Sequence, residues 1–93
     1  MDNYTIIFTE SYLRRARKFF KKHPDIISQY EKCLQLMEMN PFHPSLRLHP
    51  LHGTLKGLYS ISITLSYRIT VEFVIDAKEI LLIHIGTHDE VYP

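Results

Sequence analysis

Six histidines, one mid-chain arginine and a cluster of cations are the residues of this 93-residue sequence best suited to chemistry. His43, His49 and His52 fall within segment 40–56, and His84 and His88 lie near the other end. An imidazole titrates close to neutrality, so it can both take and give a proton there. Arg68 adds a permanent, planar charge of the kind that suits phosphate oxygens. Between residues 1 and 22, Arg14, Arg15, Arg17, Lys18, Lys21 and Lys22 face only Asp2 and Glu10, while the remainder of the chain is net acidic. The molecule is therefore dipolar, and its basic segment is either a solvated helix face or a surface for phosphates or an acidic partner. The pairs His49/His52 and His84/His88 have spacings that would ligate zinc on a helix. Pro50 interrupts the first pair, however, and the single cysteine, Cys33, sits on an apolar stripe, so no metal is expected. No phosphate-cradling loop, nucleophile elbow or dinucleotide fingerprint is present, which leaves nucleotide-driven chemistry without support.

The elements that must position these groups follow from periodicity. Residues 4–8, Tyr-Thr-Ile-Ile-Phe, read as a strand. Thr9 or Ser11 offers an N-cap, and Tyr12, Leu13, Ala16, Phe19 and Phe20 recur at the spacing of one helix face, with the cations on the other side. Pro24 closes that helix and can open the next, where Ile26, Ile27, Tyr30, Cys33, Leu34 and Met37 keep helical spacing. Two amphipathic helices thus form a hairpin. Segment 40–56, punctuated by Pro41, Pro44, Pro50 and Gly53, reads as an irregular connection of the kind that often carries function.

Beyond it the period changes to two. Tyr59, Ile61 and Ile63 alternate with Ser60, Ser62 and Thr64. Tyr67, Ile69, Val71, Phe73 and Ile75 then alternate with Arg68, Thr70, Glu72, Val74 and Asp76. Asp76-Ala77-Lys78 makes a tight connection to a last strand over 80–85. The order β-α-α-β-β-β predicts an α+β fold, a helical hairpin on one face of a mostly antiparallel four-stranded sheet. Parity assigns Tyr59, Ile61, Ile69, Val71, Phe73, Leu81 and Ile83 to the helices and leaves Ser60, Ser62, Arg68, Thr70 and His84 on an open, polar face. That face, with the histidine-bearing segment beside it, is the candidate site.

Length and composition agree with this frame. Ninety-three residues with 45% apolar, 12% aromatic and 23% charged side chains make one globular domain rather than a multidomain enzyme or a disordered chain. One cysteine cannot form an internal disulfide, which fits a reducing cytoplasm. The N-terminal residues lack the pattern of a secretory signal, and no apolar run approaches the about 20 residues of a membrane span, so no membrane association is expected.

Three ordered stretches carry a resemblance. Residues 48–60, Leu-His-Pro-Leu-His-Gly-Thr-Leu-Lys-Gly-Leu-Tyr-Ser, then Tyr67-Arg68-Ile69, then residues 85–92, Ile-Gly-Thr-His-Asp-Glu-Val-Tyr, resemble the RelE/ParE superfamily of toxins, in particular its YafQ-like branch. The resemblance spans nearly the whole chain and implies a single RelE-like toxin domain over 1–93. It implies a type II toxin–antitoxin toxin, an mRNA interferase that cuts messenger RNA on the ribosome without metal or cofactor, with a cognate antitoxin as inhibitory partner. His49 falls on the histidine of His-Pro-Leu, His88 on that of Gly-Thr-His, and Tyr92 on the aromatic near the terminus. Arg68 matches an arginine that related branches use in catalysis. The chain departs from the YafQ-like pattern where a histidine and an Asp-Trp pair give way to Ser62, Ser66 and Tyr67. It departs again around His84, where an arginine is replaced.

On this resemblance the catalytic set is His49, Arg68 and His88. One histidine serves as base and the other as acid, in either order, and Tyr92 shares the claim to the acid's role. Arg68 stabilises the phosphorane, although it can equally pair across the sheet with Glu72 or a neighbour. Tyr92 would stack on a splayed base. Lys56, His52, His84 and the helix cations Arg14, Lys18 and Lys21 would contact RNA, the last three through ribosomal phosphates. Two other readings stay open: a ParE-like DNA gyrase inhibitor that acts by binding alone, and a decayed homologue that only binds its antitoxin.

Overall fold

The computed structural model describes residues 3–87; His88 and Tyr92, and with them two of the expected site residues, lie outside the described residues. Strand β1 (Thr5–Phe8) leads into helix α1 (Glu10–Lys22). Thr9 is the N-cap, accepting from the Tyr12 backbone N–H, and its hydroxyl also donates to the Leu82 carbonyl at 2.8 Å. One residue thus closes the helix start and ties it to the sheet. A 3₁₀ turn, Pro24–Ile26, joins α1 to α2 (Ile27–Met39), with proline at its first position as expected. Tyr12, Ala16 and Phe19 of α1 and Cys33 and Met37 of α2 are buried. The helices meet through the Tyr12 and Tyr30 hydroxyls, 2.7 Å apart, and the Phe20 and Tyr30 rings. Leu13 and Ile27, expected in the same stripes, are each 39% exposed, because they stand at the edge of the helix face.

The sheet has five strands in the order β1-β5-β4-β3-β2, with β2 (His49–Pro50), β3 (Tyr59–Ser62), β4 (Tyr67–Val74) and β5 (Glu79–Thr87). It is mixed: β1 runs parallel to β5 and the other pairs are antiparallel. Two expectations change here. The sheet gains a fifth strand because His49 and Pro50, expected within an irregular connection, pair with Ser60 and Tyr59 as a two-residue edge. Proline is tolerated there because an edge strand has one side without ladder bonds. The rest of segment 40–56 includes two 3₁₀ turns, Pro44–Leu46 and Gly53–Leu55.

The second change concerns β5. Ile80, Leu82 and Ile85, not Leu81 and Ile83, point into the core. The turn after Val74 sets Phe73 opposite Ile80, and a bulge between Thr70 and Val71 shifts the register so that Val71 faces Leu82 while Thr70 faces His84. An almost uninterrupted apolar strand carries no alternation from which this phase could be read. The expected core residues Ile61, Ile69 and Val71 are fully buried, and Tyr59, Tyr67 and Phe73 pack partly buried against them. Among the described residues no helix is long and apolar enough to cross a membrane.

Candidate functional site

On the face opposite the helices, cross-strand pairing sets four side chains in one transverse row: His49 on β2, Ser60 on β3, Thr70 on β4 and His84 on β5. Residues paired across strands share a face, so two imidazoles flank two hydroxyls. The adjacent row holds Ser62, Arg68 and Gly86. The polar face expected from parity is therefore present. At its centre it is not open: Ser60 is 0% exposed, Thr70 2% and Ser62 6%, since small side chains in a twisted sheet sit below their longer neighbours.

Arg68 is half-buried, and its Nη1 donates to Ser62 Oγ at 2.7 Å. Of the two cross-sheet partners expected from the sequence, Glu72 or a neighbour, the structure shows the neighbour, Ser62 on the adjacent strand, while Glu72 is exposed farther along β4. Ser62 thus holds the guanidinium. Arg68 Nε, Ser60 Oγ and Thr70 Oγ1 are buried and have no hydrogen-bond partner among the described residues. Each such group forgoes solvation at a cost of about 1–3 kcal/mol.

His49 is exposed, and its Nδ1 lies 3.0 Å from the Arg47 carbonyl. A carbonyl only accepts, so this bond puts a proton on Nδ1 and leaves Nε2 as the basic nitrogen of the neutral ring. Arg47 has a left-handed backbone, φ 50°, at the end of the Pro44–Leu46 turn, and this places its carbonyl. His84 likewise has Nδ1 3.0 Å from the Ile85 carbonyl. His43 instead serves the backbone, where its Nδ1 accepts from the Ser45 N–H and caps the first turn of the segment. His52 and Lys56 are exposed and flank the Gly53–Leu55 turn as its caps.

His84 also lines a second feature. Because β1 pairs only as far as Leu82, α1 borders the far half of β5, and between them lies a cleft of about 390 Å³. Arg15, Lys18, Lys22, Phe19, His23, His84 and Ile85 line it. Its three cations make it electropositive. His23 is held there by the Tyr67 hydroxyl, 3.1 Å from its Nδ1. Of the three helix cations singled out from the sequence, only Lys18 is in this cleft; Arg14 lies on the other flank of α1 beside Glu10 and Arg17, and Lys21 is exposed. His23 is the lining residue that sequence reasoning missed, and Arg15 and Lys22 were counted in the basic segment without being singled out as contacts. The i, i+3, i+7 spacing of Arg15, Lys18 and Lys22 was the available signal. Among the described residues no three His, Cys, Asp or Glu side chains cluster as a metal site.

No protein-family model matches the sequence, and no curated protein matches it. Solved structures do match. YafQ from Escherichia coli strain BL21(DE3) superposes with a TM-score of 0.78 at 15% identity, over 97% of this chain and 99% of that one. The YoeB/ParE toxin from Agrobacterium tumefaciens gives 0.71 at 18% identity over 90% and 98%. The E. coli DinJ-YafQ toxin-antitoxin complex gives 0.76 at 17% identity over 98% and 99%. Over nearly its whole length the chain therefore has the α+β fold of the RelE/ParE toxins.

Proposed function

We propose that this chain is the toxin of a type II toxin–antitoxin system, a ribosome-dependent endoribonuclease that cuts messenger RNA by metal-independent acid–base catalysis in the cytoplasm. The observation that supports the proposal is that His49, whose Nδ1 lies 3.0 Å from the Arg47 carbonyl, and Arg68, whose Nη1 donates to Ser62, stand on the same face of the sheet. Similarity to toxins such as YafQ and YoeB/ParE supports it.

Cleavage needs a base, an acid and positive charge. His49 Nε2 takes the proton of the ribose 2′-hydroxyl, and the resulting oxyanion attacks the adjacent phosphorus. Arg68 stabilises the phosphorane, whose charge exceeds that of the ground state. His88 then protonates the departing 5′-oxygen, leaving a 2′,3′-cyclic phosphate and a free 5′-hydroxyl; the two histidines can exchange these parts. Tyr92 stacks on the exposed base, while His52, Lys56, His84 and the α1 cations bind the strand and ribosomal phosphates. The partner is a cognate antitoxin, as DinJ is for YafQ in the solved complex.

The test is cleavage of messenger RNA on purified ribosomes by His49→Ala, Arg68→Ala and His88→Ala proteins whose circular dichroism and melting match the parent. Each acid–base substitution is expected to lower the rate about 10²- to 10⁴-fold. Parental rates in all three overturn the site. Intact messenger RNA together with altered DNA supercoiling would transfer the protein to the gyrase-poisoning class.

A further inference from the structure

The cleft between α1 and β5 gathers positive charge without a counter-charge. Arg15, Lys18 and Lys22, all exposed, line it, and among the described residues no aspartate or glutamate does. The one carboxylate of α1, Glu10, lies on the other flank beside Arg14 and Arg17. A solvated helix face usually sets acids three or four residues from its bases, but this row has none and is left to attract an anion from outside. Helical rise spreads its three charges along about 10 Å of one line. The floor is apolar and tightly packed, with Phe19 7% and Ile85 3% exposed. The His23 ring lies 4.7 Å from the rings of both Phe19 and Tyr67, and its Nδ1 is 3.1 Å from the Tyr67 hydroxyl.

The packing of the floor decides between two kinds of anion. Single-stranded RNA draws much of its hold from bases stacked on bare aromatic faces, and Phe19 and His23 are spent on each other and on Tyr67. Carboxylates on a peptide need only charge and reach. Alternate side chains of an extended chain project to one side about 7 Å apart, so two or three acidic residues in alternation match the cationic row. The cleft, about 390 Å³, takes a short stretch of such chain. We infer that the α1–β5 cleft is the docking surface for an extended acidic segment of a protein partner, whose carboxylates pair with Arg15, Lys18 and Lys22. The inference rests on the toxin reading for the bearer of that segment, the antitoxin, and adds a route of inhibition. A seated segment neutralises the cations beside His84 that an RNA strand leaving the sheet would otherwise meet.

The probe is a short blocked peptide of alternating glutamate and threonine, titrated into the full chain at low salt and followed by amide NMR shifts. Its glutamine counterpart and a uridine oligonucleotide serve as comparisons. The glutamate peptide is expected to shift residues 15, 18, 22, 23, 84 and 85 and to displace the oligonucleotide from them, whereas the glutamine peptide leaves them in place. A protein carrying Lys18→Glu and Lys22→Glu, both at exposed positions, should bind the peptide about tenfold more weakly. One carrying Arg14→Glu and Arg17→Glu has the same net charge and should lose no more than about twofold. Equal losses reduce the attraction to the general field and overturn the surface, as do cleft amides that stay in place at millimolar peptide. An oligonucleotide that fills the cleft and resists displacement assigns it to RNA and overturns the inference too. No ribosome enters this titration, so its failure leaves the nuclease standing. Peptide binding at the cleft by a protein that cuts no RNA keeps the surface and removes the nuclease.

Discussion

The Cys33 thiol shows how position rather than residue type decides reactivity. It is buried on the apolar face of α2, within 3.7 Å of the Ser62 carbonyl and 4.0 Å of the Met37 sulfur, and burial pushes its pKa up to about 12. A thiolate is the reactive form, so the native protein holds this cysteine inert. At pH 8, labelling by a disulfide reagent is expected to be at least about a hundredfold slower in native than in denaturing buffer; equal rates would show the α2 face to be accessible. The same shift has a stability consequence. Folding keeps the thiol protonated, so its contribution is complete below the ordinary thiol pKa of 9.0 and is lost as pH rises toward about 12. Burial also raises the Tyr12 and Tyr30 hydroxyls, which adds to the loss in alkali. Cys33→Ala should therefore flatten part of the decline in melting temperature above pH 9, and an unchanged slope would deny the thiol that part.

At the scale of elements, Thr9 joins local signal to tertiary structure. Its side chain caps α1 and also donates to Leu82 of β5, so a single hydroxyl fixes where the helix starts and how it leans on the sheet. Thr9→Ala is expected to cost about 1–2 kcal/mol in urea unfolding, with Thr9→Ser recovering most of it; a loss under a few tenths would mean that solvent replaces both bonds. This cap was readable in the sequence, as were both helical stripes, the β3–β4 alternation and the turn into β5, because each is a periodicity or turn signal within a few residues. The two-residue strand at His49 was not, since it exists only through its partner Ser60, eleven residues later. Nor was the phase of β5, which depends on a bulge that leaves no mark in an apolar run. The site divides in the same way. Parity placed Arg68 among the hydroxyls, but their burial, the Arg68–Ser62 bond and the flank of α1 that faces His84 are products of sheet twist and helix docking.

Across the whole molecule, charge is segregated to the surface that borders the site. All six cations of α1 are on its solvent side, and the helix presents them on two flanks: Arg15, Lys18 and Lys22 line the cleft beside His84, whereas Arg14 and Arg17 share the other flank with Glu10. Long-range attraction to ribosomal RNA depends on total charge, while a strand leaving the Thr70–His84 row meets only the cleft flank. Two triple reversals to glutamate separate these contributions, because they change net charge equally. Replacing Arg14, Arg17 and Lys21 should weaken ribosome co-sedimentation through the general field, with an effect that fades above about 0.3 M salt as screening shortens its reach. Replacing Arg15, Lys18 and Lys22 should weaken it further and also slow cleavage once the protein is bound, since phosphates adjacent to the cut lose their contacts. Equal losses from both variants at every salt concentration would reduce the helix to a charged cloud and leave the cleft without a part in holding RNA.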